Sequence, residues 1–396
     1  MQQSQKTSPN TADSLTDFAL SKLASLEEKN QRRYLVDTKR EQAMTMSVDG
    51  GPPLISFTDN DYLGLSTHPD VVAAAKAAAD EYGAGAGASR LVTGNHSLYR
   101  KLEEKIATIK GTEDAAVFGS GYLANVGIIP TLVGPGDLII ADELVHTCIH
   151  AGMTLSRADV KFFKHNDVAH AAELLSDHRK KFGKCLILVD GVYSMDGDIA
   201  PLKALGLLAK DHDAWLMSDD AHALGTIGGG SGSAKETGAE GLVPLQMGTL
   251  SKAVGSYGGY LAAAKPVVDL IKTRARSFIY TTGLPPAAVG AALKALELIE
   301  SDAEMVARPL KLAQKFAYAL GLPAPETPIV PLIIGTETEA LAASDTLAKA
   351  GFKVIAFRPP TVPEGTSRLR FSFSATHRDA DVSRLIETCK TLGLRA

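Results

Sequence analysis

Cys185-Leu186-Ile187-Leu188-Val189 is an unbroken apolar run, closed by Asp190 and Gly191. It is too short for a buried helix and does not alternate like a half-exposed strand. It predicts a central strand covered on both faces. Similar runs flank it: Ala115–Phe118, Leu138–Ala141 and Val160–Phe163 before it, Trp215–Ser218 and Leu245–Gly248 after it. Helical segments separate most of them. Strands alternating with helices predict an α/β fold, a mostly parallel sheet with helices on both faces.

Outward from this sheet the pattern loosens. Met1–Ser14 is polar, lacks a hydrophobic signal core and reads as a frayed tail. Leu15–Lys39 is charged and periodic, the pattern of a surface helix. Leu54–Thr58 reads as a short strand, Pro69–Tyr82 as an alanine-rich helix, Gly83–Gly94 as a small-residue loop and Leu98–Lys110 as a helix. Ala115–Gly136 carries no charge, but Gly and Pro interrupt it, so it predicts a strand, a turn and a buried helix rather than a membrane span. After Pro285 come a long helical stretch to about Ala319, a strand at Ile329–Ile334, a helix at Glu337–Ala350, a strand at Arg368–Phe373 and a last helix from Asp379. The expected division is a tail and helix at 1–50, a large α/β domain at 51–285 and a smaller α+β domain at 286–396.

The chain of 396 residues has room for two or three packing units. Its net charge is only −4 and its basic residues form no dense run, which argues against nucleic-acid and membrane partners. Cys148, Cys185 and Cys389 lie far apart with no CxxC pair. That predicts reduced thiols in a cytoplasmic protein, with no disulfide framework and no metal site.

In open α/β sheets ligands gather at the carboxyl ends of the strands. Five strand ends in succession deliver polar groups there: Gly119-Ser120-Gly121-Tyr122; Asp142 with His146; Asp190 with Ser194; Asp219, Asp220 and His222; and Thr249, Ser251 and Lys252. Each group alone has an ordinary reading as a turn, a cap or a solvated side chain. Together they supply an anion cradle, an imidazole, a carboxylate and an amine, which are the needs of pyridoxal phosphate (PLP). Its phosphate wants helix N-terminal N–H groups. Its ring nitrogen wants a carboxylate that keeps it protonated, a flat group suits its ring face, and its aldehyde wants a lysine able to lose its proton.

The ordered segments Asn60-Asp61-Tyr62-Leu63-Gly64-Leu65, Gly87-Ala88-Ser89-Arg90-Leu91-Val92-Thr93-Gly94, Asp190–Gly197, Asp219-Asp220-Ala221-His222 and Thr249-Leu250-Ser251-Lys252 resemble the α-oxoamine synthases. That family lies within the fold type I PLP enzymes, and the resemblance spans nearly the whole chain after the tail. It implies decarboxylative condensation of an amino acid with an acyl thioester. Arg358–Arg370 and Phe278–Pro286 are similar to a subfamily that uses L-alanine. Sister synthases using glycine or serine share the core motifs. A nucleotide-binding module, suggested by Gly83–Gly94, is disfavoured because that loop lacks GxGxxG and no Gly-Lys-Ser/Thr follows it.

The resemblance implies these roles. Lys252 forms the imine with PLP and moves the Cα proton. His146 stacks on the ring and assists proton transfer. Asp219 pairs with the ring nitrogen, and His222 meets the ring hydroxyl oxygen. Gly121 and Tyr122 hold the phosphate; Thr249 flanks the lysine and is a better cofactor match than Ser251. Thr281 and Thr282 reach the phosphate of a neighbouring subunit, which implies a homodimer with shared sites. Arg370, with Asn60 and Ser194 nearby, takes the amino-acid carboxylate, and Ser194 also borders the cofactor. Arg358 and Thr361 shape the substrate site. Arg33 matches an arginine near the acyl thioester, with Arg32 adjacent. Asp190 stands where many members of the family have Glu, so its contacts are open.

Overall fold

The run at Cys185 forms the strand Cys185–Asp190 inside a seven-stranded sheet. The computed structural model describes residues 11–29, 31–41 and 44–395. Across the sheet the order is Asp114–Phe118, Gly259–Ala263, Leu245–Thr249, Trp215–Asp219, Cys185–Asp190, Leu138–Asp142 and Asp159–Phe163. Gly259–Ala263 runs antiparallel to both its neighbours, and the other six strands share one direction. Their carboxyl ends therefore meet at one edge: Phe118, Asp142, Phe163, Asp190, Asp219 and Thr249. Asp190 lies directly beside Asp219 in register.

The continuous apolar runs are explained by two buried layers. Leu186 and Leu188 pack with Ile128, Ile129, Ile149 and Met153 on one face of the sheet. Ile187 and Val189 pack with Leu202, Leu205 and Leu175 on the other. Successive side chains point to opposite faces of a strand, so a strand buried on both sides must be apolar at every position.

Gly259–Ala263 has no counterpart among the strands read from the sequence. Its glycine is required by packing: a Cβ on Gly259 would lie 2.5 Å from the Ser120 carbonyl oxygen. The strand thus passes against the backbone of the Gly119–Tyr122 turn.

Toward the C-terminus, Ile329–Gly335 pairs antiparallel with Ser367–Ser372, which also pairs with Ala356–Phe357. Leu369 and Phe371 enter a core with Phe316, Val382 and Leu385. By strand alternation Arg368 and Arg370 face the other way. The segment after the strand Leu54–Ser56 is tied to this sheet. Phe57 O accepts from Ser372 N at 2.7 Å, and Tyr62 O accepts from Ala375 N at 2.8 Å. Asn60 and Tyr62 are thereby held beside Arg370.

Two helix boundaries differ from the sequence reading. The helix expected at Leu15–Lys39 is Thr11–Glu28; residues 31–37 have no regular element, and Thr38–Arg40 is extended. This helix is exposed along its described length, so only local propensity sustains it, and that alone does not extend a helix far. Of the expected tail Met1–Ser14, residues 1–10 lie outside the described residues. The long helix after Pro285 is two, Pro286–Ser301 and Ala303–Leu320. The break is Asp302, whose carboxylate caps the second helix by accepting from Met305 N at 2.8 Å. The chain divides into two compact units, residues 1–39 with 47–52, and residues 40–46 with 53–396.

Candidate active site

Lys252 sits in a closed loop immediately after the strand Leu245–Thr249. Leu250 N donates to Gly258 O at 2.9 Å and Gly255 N to Lys252 O at 2.8 Å, so the loop folds back on itself. Gly255 has φ +67°, and a Cβ there would meet Ser66 N at 2.4 Å, so glycine is needed twice over. Burial pushes the Lys252 amine down to about 8; Asp219 opposes that shift and Arg370 adds to it. A lysine so placed spends part of its time neutral near neutral pH.

Asp219 ends its strand on the same edge. Its Oδ2 accepts from Asn125 Nδ2 at 2.8 Å and its Oδ1 from Ala221 N at 3.0 Å. The adjacent Asp220 points elsewhere, into a buried pair with Lys110 at 2.5 Å. Lys110 also donates to Ser231 O at 2.6 Å. The two aspartates therefore differ in kind. One is matched by a buried cation, and the other is an acceptor aimed by N–H groups at the strand end.

His146 caps the helix Thr147–Ser156, with Nδ1 accepting from Cys148 N at 3.2 Å. Burial lowers its pKa, Asp219 opposes this and Lys252 reinforces it. Its backbone N–H donates to Asp190 Oδ1 at 3.4 Å. Burial first, and then the neighbouring Asp219, hold the Asp190 carboxyl well above the usual range. The residue that departs from the family's Glu thus faces the His146 backbone and the Asp219 side of the site.

His222, Tyr62, Arg370 and Asn60 form one network. Tyr62 Oη lies 2.7 Å from His222 Nδ1 and accepts from Arg370 Nη2 at 3.0 Å. Arg370 Nη1 and Nη2 both donate to Asn60 Oδ1 at 3.1 Å. Burial drives the His222 pKa well below its ordinary value, with Lys252 and Arg370 adding to the effect, so this imidazole is neutral. Among the described residues the buried Arg370 Nε has no hydrogen-bond partner. An orphaned guanidinium N–H in a polar site fits a carboxylate ligand.

These groups suit PLP, and the start of a nearby helix adds to them. The helix Gly121–Leu132 starts beside the lysine loop, capped by Ser120, whose hydroxyl accepts from Leu123 N. Its first N–H groups, at Gly121 and Tyr122, lack intrahelical acceptors. A Cβ on Gly121 would sit 3.5 Å from the Thr249 side chain, which places the helix start against the end of the lysine strand. Thr249 Oγ1 donates to Gly258 O at 2.8 Å and lies 2.7 Å from Ser251 Oγ. Anion cradle, carboxylate, neutral imidazole and lowered-pKa amine occupy one edge, and their chemistry suits the cofactor.

Other expected residues are less central. Thr281 packs near Gly119 and Thr282 bridges to Ser89, both within this chain. Ser194 follows Tyr193 in the turn after Asp190 and is half-buried. Thr361 is exposed, its N–H turning back to Arg358 O at 3.0 Å. Arg33 belongs to the first compact unit and is exposed there, whereas Arg32 pairs with Glu27 at 2.6 Å. In the loop Gly83–Gly94, Arg90 pairs with Glu103 at 2.5 Å and lies over the Tyr99 ring.

The sequence assigns no site role to Asn125, Cys148 or Tyr62. Asn125 had a signal: it is a polar residue in the otherwise apolar stretch Leu123–Ile129. Cys148 and Tyr62 had none beyond lying next to residues already marked.

The chain matches the model of the aminotransferase class I and II family over residues 52–388. It is 54% identical to the 8-amino-7-oxononanoate synthase of Beijerinckia indica over 96% of this chain and 98% of that one. It is 60% identical to the 8-amino-7-oxononanoate synthase of Methylocella silvestris over 87% of this chain and 98% of the relative. Among solved structures, a serine palmitoyltransferase from S. paucimobilis with a bound PLP–myriocin aldimine superposes with a TM-score of 0.90 at 29% identity, covering 96% of this chain and 98% of that one. No helix among the described residues is long and apolar enough to cross a membrane.

Proposed function

This chain belongs to the aminotransferase class I and II family, in its α-oxoamine synthase branch, and on that premise we propose that it joins L-alanine to a pimeloyl thioester. The products are 8-amino-7-oxononanoate, CO2 and the free thiol, a step of biotin biosynthesis. The thiol carrier is CoA or an acyl-carrier protein. The observation that carries the reading is Arg370. Its buried, unpartnered Nε lies on the network that includes His222, and the electrostatic influence of its charge reaches Lys252. A carboxylate bound there brings an amino acid to the lysine.

Bound PLP supplies an aldehyde that takes up the amino group and a ring that stores the electron pair left at Cα. The residues supply the rest. Gly121 and Tyr122 would offer N–H groups to the phosphate, and Asp219, held by Asn125, would pair with the ring nitrogen. Neutral His222 donates from Nε2 while its Nδ1 is satisfied by Tyr62. Arg370 and Asn60 orient the amino-acid carboxylate, with Ser194 alongside. Lys252, with its amine near 8, takes and returns the proton at Cα. His146 would stack on the ring and assist proton transfer near the thioester carbonyl. Arg33, Arg358 and Thr361 are assigned to the acyl substrate, and Thr281 and Thr282 to the phosphate of a partner subunit. On this reading the working form is a homodimer with shared sites, and its proposed location is the cytoplasm.

Mixing the PLP-loaded protein with alanine, glycine or serine and a pimeloyl, acetyl, succinyl or palmitoyl thioester tests this, with CO2 and thiol release followed together. Alanine with the pimeloyl donor is expected to turn over fastest. Faster turnover of glycine or serine would place the chain with the glycine C-acetyltransferase, 5-aminolevulinate synthase or serine palmitoyltransferase type instead.

A further inference from the structure

Between Asp219 and His146 lie two buried side chains that the chemistry above does not use as reacting groups. Asn125 Nδ2 is 2.8 Å from Asp219 Oδ2 and 3.1 Å from Cys148 Sγ. Cys148 Sγ is 2.8 Å from His146 Nδ1. The two helices carrying them approach closely because Gly152 has no side chain; a Cβ there would lie 2.8 Å from the Asn125 carbonyl oxygen.

The direction of each bond in this line is forced. The Asn125 amide nitrogen only donates; Met247 Sδ lies farther off at 3.7 Å, so the two amide hydrogens go to the nearer acceptors, Asp219 and the Cys148 sulfur. Burial pushes the Cys148 thiol up to about 12, so it keeps its hydrogen. With the sulfur accepting from Asn125, that hydrogen is left for His146 Nδ1. The same Nδ1 already accepts from Cys148 N as the helix cap. Two donors converge on one ring nitrogen, so that nitrogen carries no proton and Nε2 does.

We propose that Asn125 and Cys148 are positioning residues: Asn125, anchored by donating to Asp219, also donates to the Cys148 sulfur, and Cys148 in turn donates to His146, which holds His146 as its neutral Nε2–H tautomer. His146 then meets the thioester carbonyl as a hydrogen-bond donor. This rests on the reading of the site given above. It extends that reading by assigning the proton of His146 and by linking the group over the ring to the group at the ring nitrogen. The other charges facing His146 are Lys252 and His150, which disfavour its protonation, and Asp219, which favours it.

Two spectroscopic measurements on the full chain, with and without PLP and without substrates, test it. The first is the ring-nitrogen NMR spectrum of His146, assigned by its loss in His146→Gln. The expected pattern is a bare Nδ1 and a protonated Nε2. The second is the infrared S–H stretch of Cys148, isolated by subtracting the spectrum of Cys148→Ser. It is expected at lower wavenumber than the Cys185 and Cys389 bands, moving up in His146→Leu and broadening in Asn125→Leu. A protonated Nδ1 in the wild type overturns the proposal, as does a Cys148 band that matches the other two or ignores His146→Leu. The wild-type spectra decide even if a variant fails to fold. Turnover of alanine with the pimeloyl donor is scored separately, so an active enzyme with the wrong tautomer rejects this line alone. An inactive protein with the right tautomer rejects the substrate assignment alone.

Discussion

The phenol of Tyr62 lies 2.7 Å from His222 Nδ1, across a separation of 160 residues. It also accepts from Arg370, so one hydroxyl serves the residue assigned to the ring and the residue assigned to the substrate carboxylate. Burial holds the phenol above its ordinary pKa, so it remains a donor. Tyr62→Phe leaves both neighbours short of a partner in a buried place. Each unmade bond of this kind costs about 1–3 kcal/mol. We expect kcat/KM for alanine to fall about tenfold to a hundredfold, with the fold intact by circular dichroism. A variant with wild-type kcat/KM removes Tyr62 from the network's function.

Lys252 must be neutral to condense with an aldehyde. With its amine near 8, the rate at which the apo chain captures PLP should rise about tenfold per pH unit below that value and level off above it. Stopped-flow absorbance reads this directly. Lys252→Ala should show no capture and no turnover. A capture rate that keeps climbing to pH 10 contradicts the lowered value.

How far this site could be read from the sequence depends on what kind of contact makes it. Lys252, Asp219 and His222 directly follow apolar runs, and a parallel sheet brings such strand ends to one edge. Their convergence was therefore legible. Tyr62, Asn125 and Cys148 act through side-chain contacts to residues distant in the chain or through a helix cap; the polar Asn125 stands out in its apolar stretch, but nothing local says which residues any of the three touches. The strand Gly259–Ala263 escaped for a related reason. It follows the glycine-rich lysine loop and is built of Gly, Ala, one Leu and one Tyr, a composition poor in β-branched residues. Only its burial between two neighbours makes it a strand.

Asp219 is assigned to the ring nitrogen because Asn125 and Ala221 N–H groups hold its carboxylate at the strand edge while Asp220 is matched by Lys110. Asp219→Asn keeps the size and removes the charge. We expect PLP still to bind, more weakly, and turnover to fall by at least about a hundredfold, the scale of removing one preorganised electrostatic group. Equilibrium PLP titration and steady-state rates check this. Asp220→Asn should instead act mainly on stability; the reverse pattern would exchange the roles of the two aspartates.

His165 makes a separate pH prediction. Burial alone would lower its pKa, but hydrogen bonds to Asp142 and Asp198, at 3.1 Å and 2.7 Å, raise it to about 10. A group whose folded pKa exceeds its unfolded value stabilises fully below the unfolded value, near 6.5. That contribution disappears as pH rises through about 10. Denaturation midpoints of wild type and His165→Gln, compared from pH 6 to pH 10, should therefore converge as pH rises. A constant or widening gap would contradict a charged His165.

The Lys110–Asp220 pair is a fully buried ionic contact outside the chemistry. Both side chains are 1% exposed, and the bond is 2.5 Å. Asp220 is further held by Ser218 Oγ at 3.1 Å and Ser233 N at 3.1 Å. The glycines around it are part of the design: a Cβ on Gly191 would lie 2.3 Å from Asp220 Oδ1, and one on Gly232 would lie 2.2 Å from Oδ2. Lys110→Met strands a buried carboxylate and should destabilise the fold by about 3–5 kcal/mol. Adding Asp220→Asn removes that charge, so the double variant should recover part of the loss. Urea denaturation of the four proteins closes the cycle. Additive losses would mean that the pair is not coupled, whereas recovery in the double variant shows that Lys110 is needed chiefly because Asp220 is charged.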